Sequence, residues 1–189
     1  MKRGYQSILI GSAFLASWLG MQATHECGHV LGAWLTGGQV ARVVLHPLTI
    51  SRTDLAENPH PLLVAWSGAC GGIVFPCVLY WFARRLRASF AFVIRFFAGS
   101  CLIANGAYLS IGSISQVGDA GDLIRLGYPA WVLWIFGAIS VPTGIGIWHG
   151  QGQHFGLGVA NGHVRSEVAF ASMVTALLLV LLGYLVGGE

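Results

Sequence analysis

The segment YQSILIGSAFLASWLGMQATHECGHVLGAWLT, Tyr5–Thr36, decides the fold. It is longer than the ~20 apolar residues that cross a bilayer core of ~30 Å. Its second half nevertheless carries His25-Glu26-Cys27-Gly28-His29. An ionisable side chain in hydrocarbon costs roughly 2.5–3.5 kcal/mol on insertion scales, so such a cluster marks function. In a helix, residues four apart share a face, so His25 and His29 reach one ion in the H-E-x-x-H zinc pattern. Glu26 stands about 100° round the helix from His25, beside such an ion rather than on it, where a general base belongs. The bland alternative is a pair of core histidines bonded to backbone, with Glu26 at a wet helix end.

Composition places the rest of the chain in the same setting. Of 189 residues, 55% are hydrophobic and 9% charged, and the mean hydropathy is +0.70. A soluble domain carries about 25% charged residues, so this chain cannot cover itself with polar surface and is an integral membrane protein in the lipid bilayer. The 27 glycines suit close helix packing in lipid. A net charge of +3 gives no nucleic-acid footprint. No cleavable signal peptide is marked, because the first apolar run continues straight into the motif. Cys27, Cys70, Cys77 and Cys101 form no C-x-x-C pair and read as small buried residues. Cys27 faces away from the His25/His29 side of a helix.

The expected fold class is an all-α polytopic bundle, one integral membrane domain over residues 1–189. It has about five spans (5–36, 61–83, 88–114, 128–148 and 167–187) and a short membrane-associated β segment after the first helix. Gly37-Gly38 ends that helix, Gln39–Thr53 is β-prone, and Asp54–His60 reads as a polar loop. The second span contains Ser67-Gly68-Ala69-Cys70-Gly71-Gly72, small residues that let another backbone approach. It closes on Arg84-Arg85-Leu86-Arg87, read as a topology signal. Arg95, Asn105 and Tyr108 interrupt the third span. Arg95 is expected to snorkel toward the basic end. Asn105 is either an interhelical hydrogen-bond partner or a contact for substrate or water. Gly118-Asp119-Ala120-Gly121-Asp122 reads alone as an interhelical turn with a capping aspartate. The residues from His149 to Ser166, with His149, His154 and His163, read as a wet loop.

A catalytic zinc takes three protein ligands, and the motif offers two; Asp119 and Asp122 are the distant carboxylates available. Here the chain resembles the site-2 protease family of intramembrane zinc metalloproteases, and especially its small, reduced members. His25-Glu26-Cys27-Gly28-His29 is similar to the family's H-E-x-G-H form, and Gly37-Gly38 leads into an extended segment as the family's membrane-associated sheet does. Asp119-Ala120-Gly121-Asp122-Leu123 resembles its later Asp-Gly motif, whose aspartate is the third zinc ligand. The resemblance spans roughly Ile8 to Leu126. It implies Zn²⁺ held by His25, His29 and Asp119, with Asp122 as the alternate ligand, and Glu26 as the catalytic base. It also implies a membrane-protein substrate cut in a transmembrane or membrane-adjacent segment. Ala120 stands where the family has a glycine, and the asparagine-proline element before the aspartate is absent, with Asn105 the nearest polar stand-in.

Two other readings remain open at this level: a metal-binding relative that grips partners without cutting them, and a small ion channel or transporter. The basic residues Lys2, Arg3, Arg84, Arg85 and Arg87 argue for a cytoplasmic N-terminus, which puts the metal nearer the outer face. The compact form suggests a prokaryotic cell membrane.

Overall fold

The computed structural model describes residues 2–187; the Lys2 side chain, part of the basic N-terminal signal, lies outside that description. The helices are α1 (Lys2–Leu35), α2 (Pro61–Arg85), α3 (Ala91–Ser115), α4 (Gly118–Arg125), α5 (Ala130–Trp148) and α6 (Ser166–Val186). Strands β1 (Gln39–Val44) and β2 (Arg52–Glu57) form an antiparallel hairpin between α1 and α2. All helices but α4 are long and apolar enough to cross a membrane. Helix suits this composition because the backbone then satisfies its own hydrogen bonds where no water is available. The protein is an integral multi-pass membrane protein of the expected all-α class, with the small sheet where the sequence placed it.

The five long helices give the molecule two distinct ends. One end carries the α1 N-terminus, the α2–α3 turn and the α5–α6 connection. The hairpin, α4 and the C-terminus of α6 lie at the other, where His46 packs edge-on against Tyr184 at 4.7 Å. The motif lies toward this second end, with His29 and His25 about 9 and 15 Å of helical rise before Leu35.

Helix α1 stops where the double glycine predicted. Gly37 takes φ +79°, and Gly38 N–H donates to Ala33 C=O at 2.7 Å while Gly37 N–H donates to Trp34 C=O. That is a Schellman ending, for which a left-handed glycine is the natural residue. Helix α2 then lies along α1, and the small-residue run sets how close. A Cβ built on Gly71 would lie 2.6 Å from the Gly28 Cα, and one on Gly68 only 2.8 Å from His25 Nε2. The two backbones therefore touch beside the motif, and the glycines of α2 make room for its imidazoles.

Three expectations need correction. The polar stretch after Thr53 is not a loop: Asp54–Glu57 belongs to β2, where Leu55 pairs with Val40 and Glu57 with Gln39. Its charged residues hide the strand because Arg52, Asp54 and Glu57 sit on a small, wet ribbon. The Asp119–Asp122 segment is the short helix α4, and its N-cap is Val117 with no side-chain cap, so neither aspartate caps it. Of the cysteines read as buried, only Cys101 is; Cys27 and Cys70 are exposed and Cys77 is intermediate. Arg95 does reach the basic end, where it lines one cavity with Arg84. Its Nε and Nη2 donate to Ile147 C=O (2.7 Å) and His149 C=O (3.0 Å), so it satisfies carbonyls at the C-terminal end of α5.

Candidate metal centre

Each functional side chain is set by a different element. His25, Glu26 and His29 are buried on the inner face of α1. Asp119 comes from the first turn of α4, and α4 is fixed by packing: Ala120 and Leu123 are fully buried against Ala65, Ala69, Leu109 and Leu133 of α2, α3 and α5. At 100° per residue Asp119 lies about 40° from Leu123 and Asp122 about 100°. Burying Leu123 thus turns Asp119 inward and leaves Asp122 outside. Asp122 pairs with Arg125 on the exposed face.

Asp119 Oδ2 lies 2.8 Å from His25 Nε2 and 3.2 Å from His29 Nε2, and the two Nε2 atoms are 3.1 Å apart. The other nitrogen of each ring has a partner that only accepts. His29 Nδ1 is 2.8 Å from Val64 C=O, and His25 Nδ1 is 2.7 Å from Asn105 Oδ1. Asn105 Nδ2 donates to Cys101 C=O at 2.9 Å, which fixes the amide with its oxygen toward His25. Each ring therefore carries a proton on Nδ1, and in its neutral form presents a bare Nε2 lone pair. In that form two lone pairs and a carboxylate oxygen converge on one point, an arrangement that a cation between them satisfies.

The donor set fits a tetrahedral zinc. Bonds of about 2.0–2.1 Å give ligand–ligand edges of roughly 3.3 Å, and the observed edges are 2.8, 3.1 and 3.2 Å. Among the described residues, His25, His29 and Asp119 are the group of metal-binding side chains that comes together. Burial alone would push the Asp119 carboxyl up, but its bonds to His25 and His29 and their charge outweigh that and hold it below the usual carboxylate range. It is ionised at neutral pH, as a ligand must be. Its backbone N–H donates to the Tyr108 hydroxyl at 3.1 Å.

Glu26 is buried beside the cluster, and its Oε2 accepts from the Thr53 hydroxyl at 2.7 Å. Ser51 N–H donates to Gln22 Oε1 at 3.2 Å, so the hairpin is tied twice to α1 next to the motif. A cavity of about 580 Å³ reaches His25, Glu26, His29 and Asp119 between β2, the start of α2 and α4. A second, of about 530 Å³, reaches His25 and Glu26 from the side, between α1 and α3, past Trp18, Met21 and Ile111.

Asn105, expected to hydrogen-bond between helices or to contact substrate or water, binds the far side of the His25 ring, which makes it a positioning residue. Outer partners of this kind are worth 10–100-fold in metal affinity, and Asn105→Leu should weaken zinc binding by about that factor in competition with a chromophoric chelator. Thr53 and the Val64 carbonyl were not singled out in the sequence. Val64 acts through its backbone, which no side-chain pattern reveals. Thr53 gave only the weak signal of a hydroxyl in the β-prone segment.

Fold and site together define a class: a multi-pass membrane protein with a His-His-Asp cluster inside its helical bundle and a buried glutamate beside it. The sequence family described as Peptidase M50B-like matches residues 12–111, more than half of the chain. The chain belongs to this family and so to the site-2 protease group that its motifs resemble, a group of membrane metalloproteases. The matched residues include His25, Glu26, His29 and Asn105 and end before Asp119. No curated protein and no solved structure matches the chain.

Proposed function

We propose that the protein is an intramembrane zinc metalloprotease that hydrolyses peptide bonds in transmembrane or membrane-adjacent segments of other proteins. The observation that carries this is the convergence of His25 Nε2, His29 Nε2 and Asp119 Oδ2 beside Glu26. His25, His29 and Asp119 would hold the ion. When bound, zinc supplies Lewis acidity and makes water nucleophilic near neutral pH.

Glu26 takes a proton from the attacking water and returns it to the leaving amine. The Thr53 hydroxyl holds one carboxylate oxygen, so Glu26 is oriented before substrate arrives and loses no rotamer freedom in the step. The His25 and His29 rings are locked by Asn105 and Val64, and the ligand atoms need no rearrangement.

The two cavities suit a membrane substrate. The polar one opens at the hairpin end and admits water; the apolar one opens between α1 and α3 toward lipid. A helical substrate hides its carbonyls in hydrogen bonds and must unwind to be cut. Arg52, Thr53 and Leu55 of β2 line the polar cavity, and a free strand edge there can pair with an unwound peptide.

The test is cleavage by the purified protein, reconstituted in lipid, of a panel of single-span reporter segments. Cleavage that stops with a zinc chelator and returns with added zinc is the expected result. Stoichiometric zinc with no cleavage of any reporter would favour the non-catalytic binding relative.

A further inference from the structure

At the end of the molecule opposite the metal centre, a cavity of about 730 Å³ opens between the α2–α3 turn and the α5–α6 connection. Arg84, Arg95, Arg165, His154 and His163 line it. These residues come from the end of α2, the start of α3, the first of two short 3-10 turns (Gly152–Phe155) and the approach to α6. Among the described residues the carboxylate at this end is Glu167, 3.9 Å from Arg165, while Arg3, Arg84, Arg85, Arg87, Arg95 and Arg165 all lie here. Bringing like charges together from distant parts of the chain is unfavourable unless an anion offsets it.

We propose that this cavity binds a phosphate-bearing anion at the membrane surface, the headgroup of an anionic phospholipid. The lining is organised for it. Arg95 is held at two carbonyls, 2.7 and 3.0 Å away, so its guanidinium keeps a fixed direction. His154 stacks on Phe92 at 5.2 Å, and Phe92 is anchored by Phe155 and the buried Leu9–Ala13 face of α1. His163 Nδ1 donates to Ala160 C=O at 2.9 Å, so Nε2 can donate to a phosphate oxygen in the imidazolium form. Guanidinium groups match phosphate oxygens in pairs, and basic pockets at helix ends bind lipid headgroups. The apolar rim of Phe92 and Val164 meets the cavity where acyl chains would begin.

A topology signal requires only charge near a helix end, and the basic cluster after α2 divides on this point. Arg84 lines the cavity, whereas the Arg85 guanidinium lies over the Trp81 ring, 5.3 Å from its centroid. Arg87 is not part of the lining. Charge number and charge placement are therefore separable by mutation.

The full-length protein in neutral detergent is titrated with short-chain phosphatidylglycerol, and separately with phosphatidylcholine, with inorganic phosphate as competitor. Saturable binding of phosphatidylglycerol is expected. It weakens about tenfold or more in the Arg84→Gln/Arg165→Gln double variant and less than twofold in the Arg85→Gln/Arg87→Gln double variant, which loses the same charge. If the first double variant is unstable, Arg165→Gln alone, at an exposed side chain, carries the comparison. Competition by inorganic phosphate would identify free phosphate as the source of the same chemistry, and its failure the lipid headgroup; either supports a phosphate site. Equal weakening in both double variants, or equal affinity for phosphatidylcholine, would overturn the proposal.

Discussion

Glu26→Gln is expected to give a protein that keeps zinc and fold but cleaves reporter segments about 10³–10⁴-fold more slowly. The magnitude is the upper part of what a positioned acid–base group contributes, because Glu26 is asked to act twice, as base and then as acid. Glutamine is nearly isosteric and still accepts the Thr53 hydroxyl bond through its carbonyl, so the substitution removes the proton acceptor and little else. It leaves untouched the three atoms that meet at His25, His29 and Asp119. Zinc content measured beside the rate separates the two effects. Cleavage at wild-type rate with Glu26→Gln would remove Glu26 from its proposed role.

Asp119→Ala is expected to lower zinc affinity by more than about 100-fold, beyond the effect of losing an outer partner, and Asp122→Ala to leave it unchanged. The asymmetry comes from packing rather than chemistry. Both carboxylates lie on one short helix, but Leu123 is buried under α2, α3 and α5, and only Asp119 is turned toward the imidazoles. Asp122 is committed to Arg125 at the surface. Removing Asp119 leaves two imidazole ligands, which a chelator outcompetes easily. Metal analysis of the two variants by equilibrium dialysis decides the point, and zinc lost equally from both would mean that α4 is not held as described.

The helical class and the motif were legible because they rest on strong local physics. Hydropathy fixes where a backbone must satisfy itself, and the i, i+4 spacing of His25 and His29 fixes a shared face. Gly37-Gly38 was legible for the same reason, since a left-handed ending is a local preference. What the sequence left open depends on contacts between distant segments. Asp119 and Asp122 differ only in their angle to Leu123, and that angle means something only once the burial of Leu123 is known. Strand β2 was missed beyond Thr53 because its polar residues never enter a core and carry no strand pattern. Arg95 was placed at the nearby basic end, where it lies beside Arg84, but its partners, the C-terminal carbonyls of α5, come from far along the chain and were not legible. Asn105 stood out as polar in an apolar helix, but its role as the anchor of His25 depends on α3 passing behind α1.

X-ray absorption at the zinc edge of the purified wild-type protein reads the ligand set itself. One zinc per chain is expected, with nitrogen and oxygen neighbours at about 2.0–2.1 Å and the outer-ring scattering of two imidazoles. A sulfur neighbour at about 2.3 Å, or a chain that retains no stoichiometric metal, would contradict a centre built from His25, His29 and Asp119.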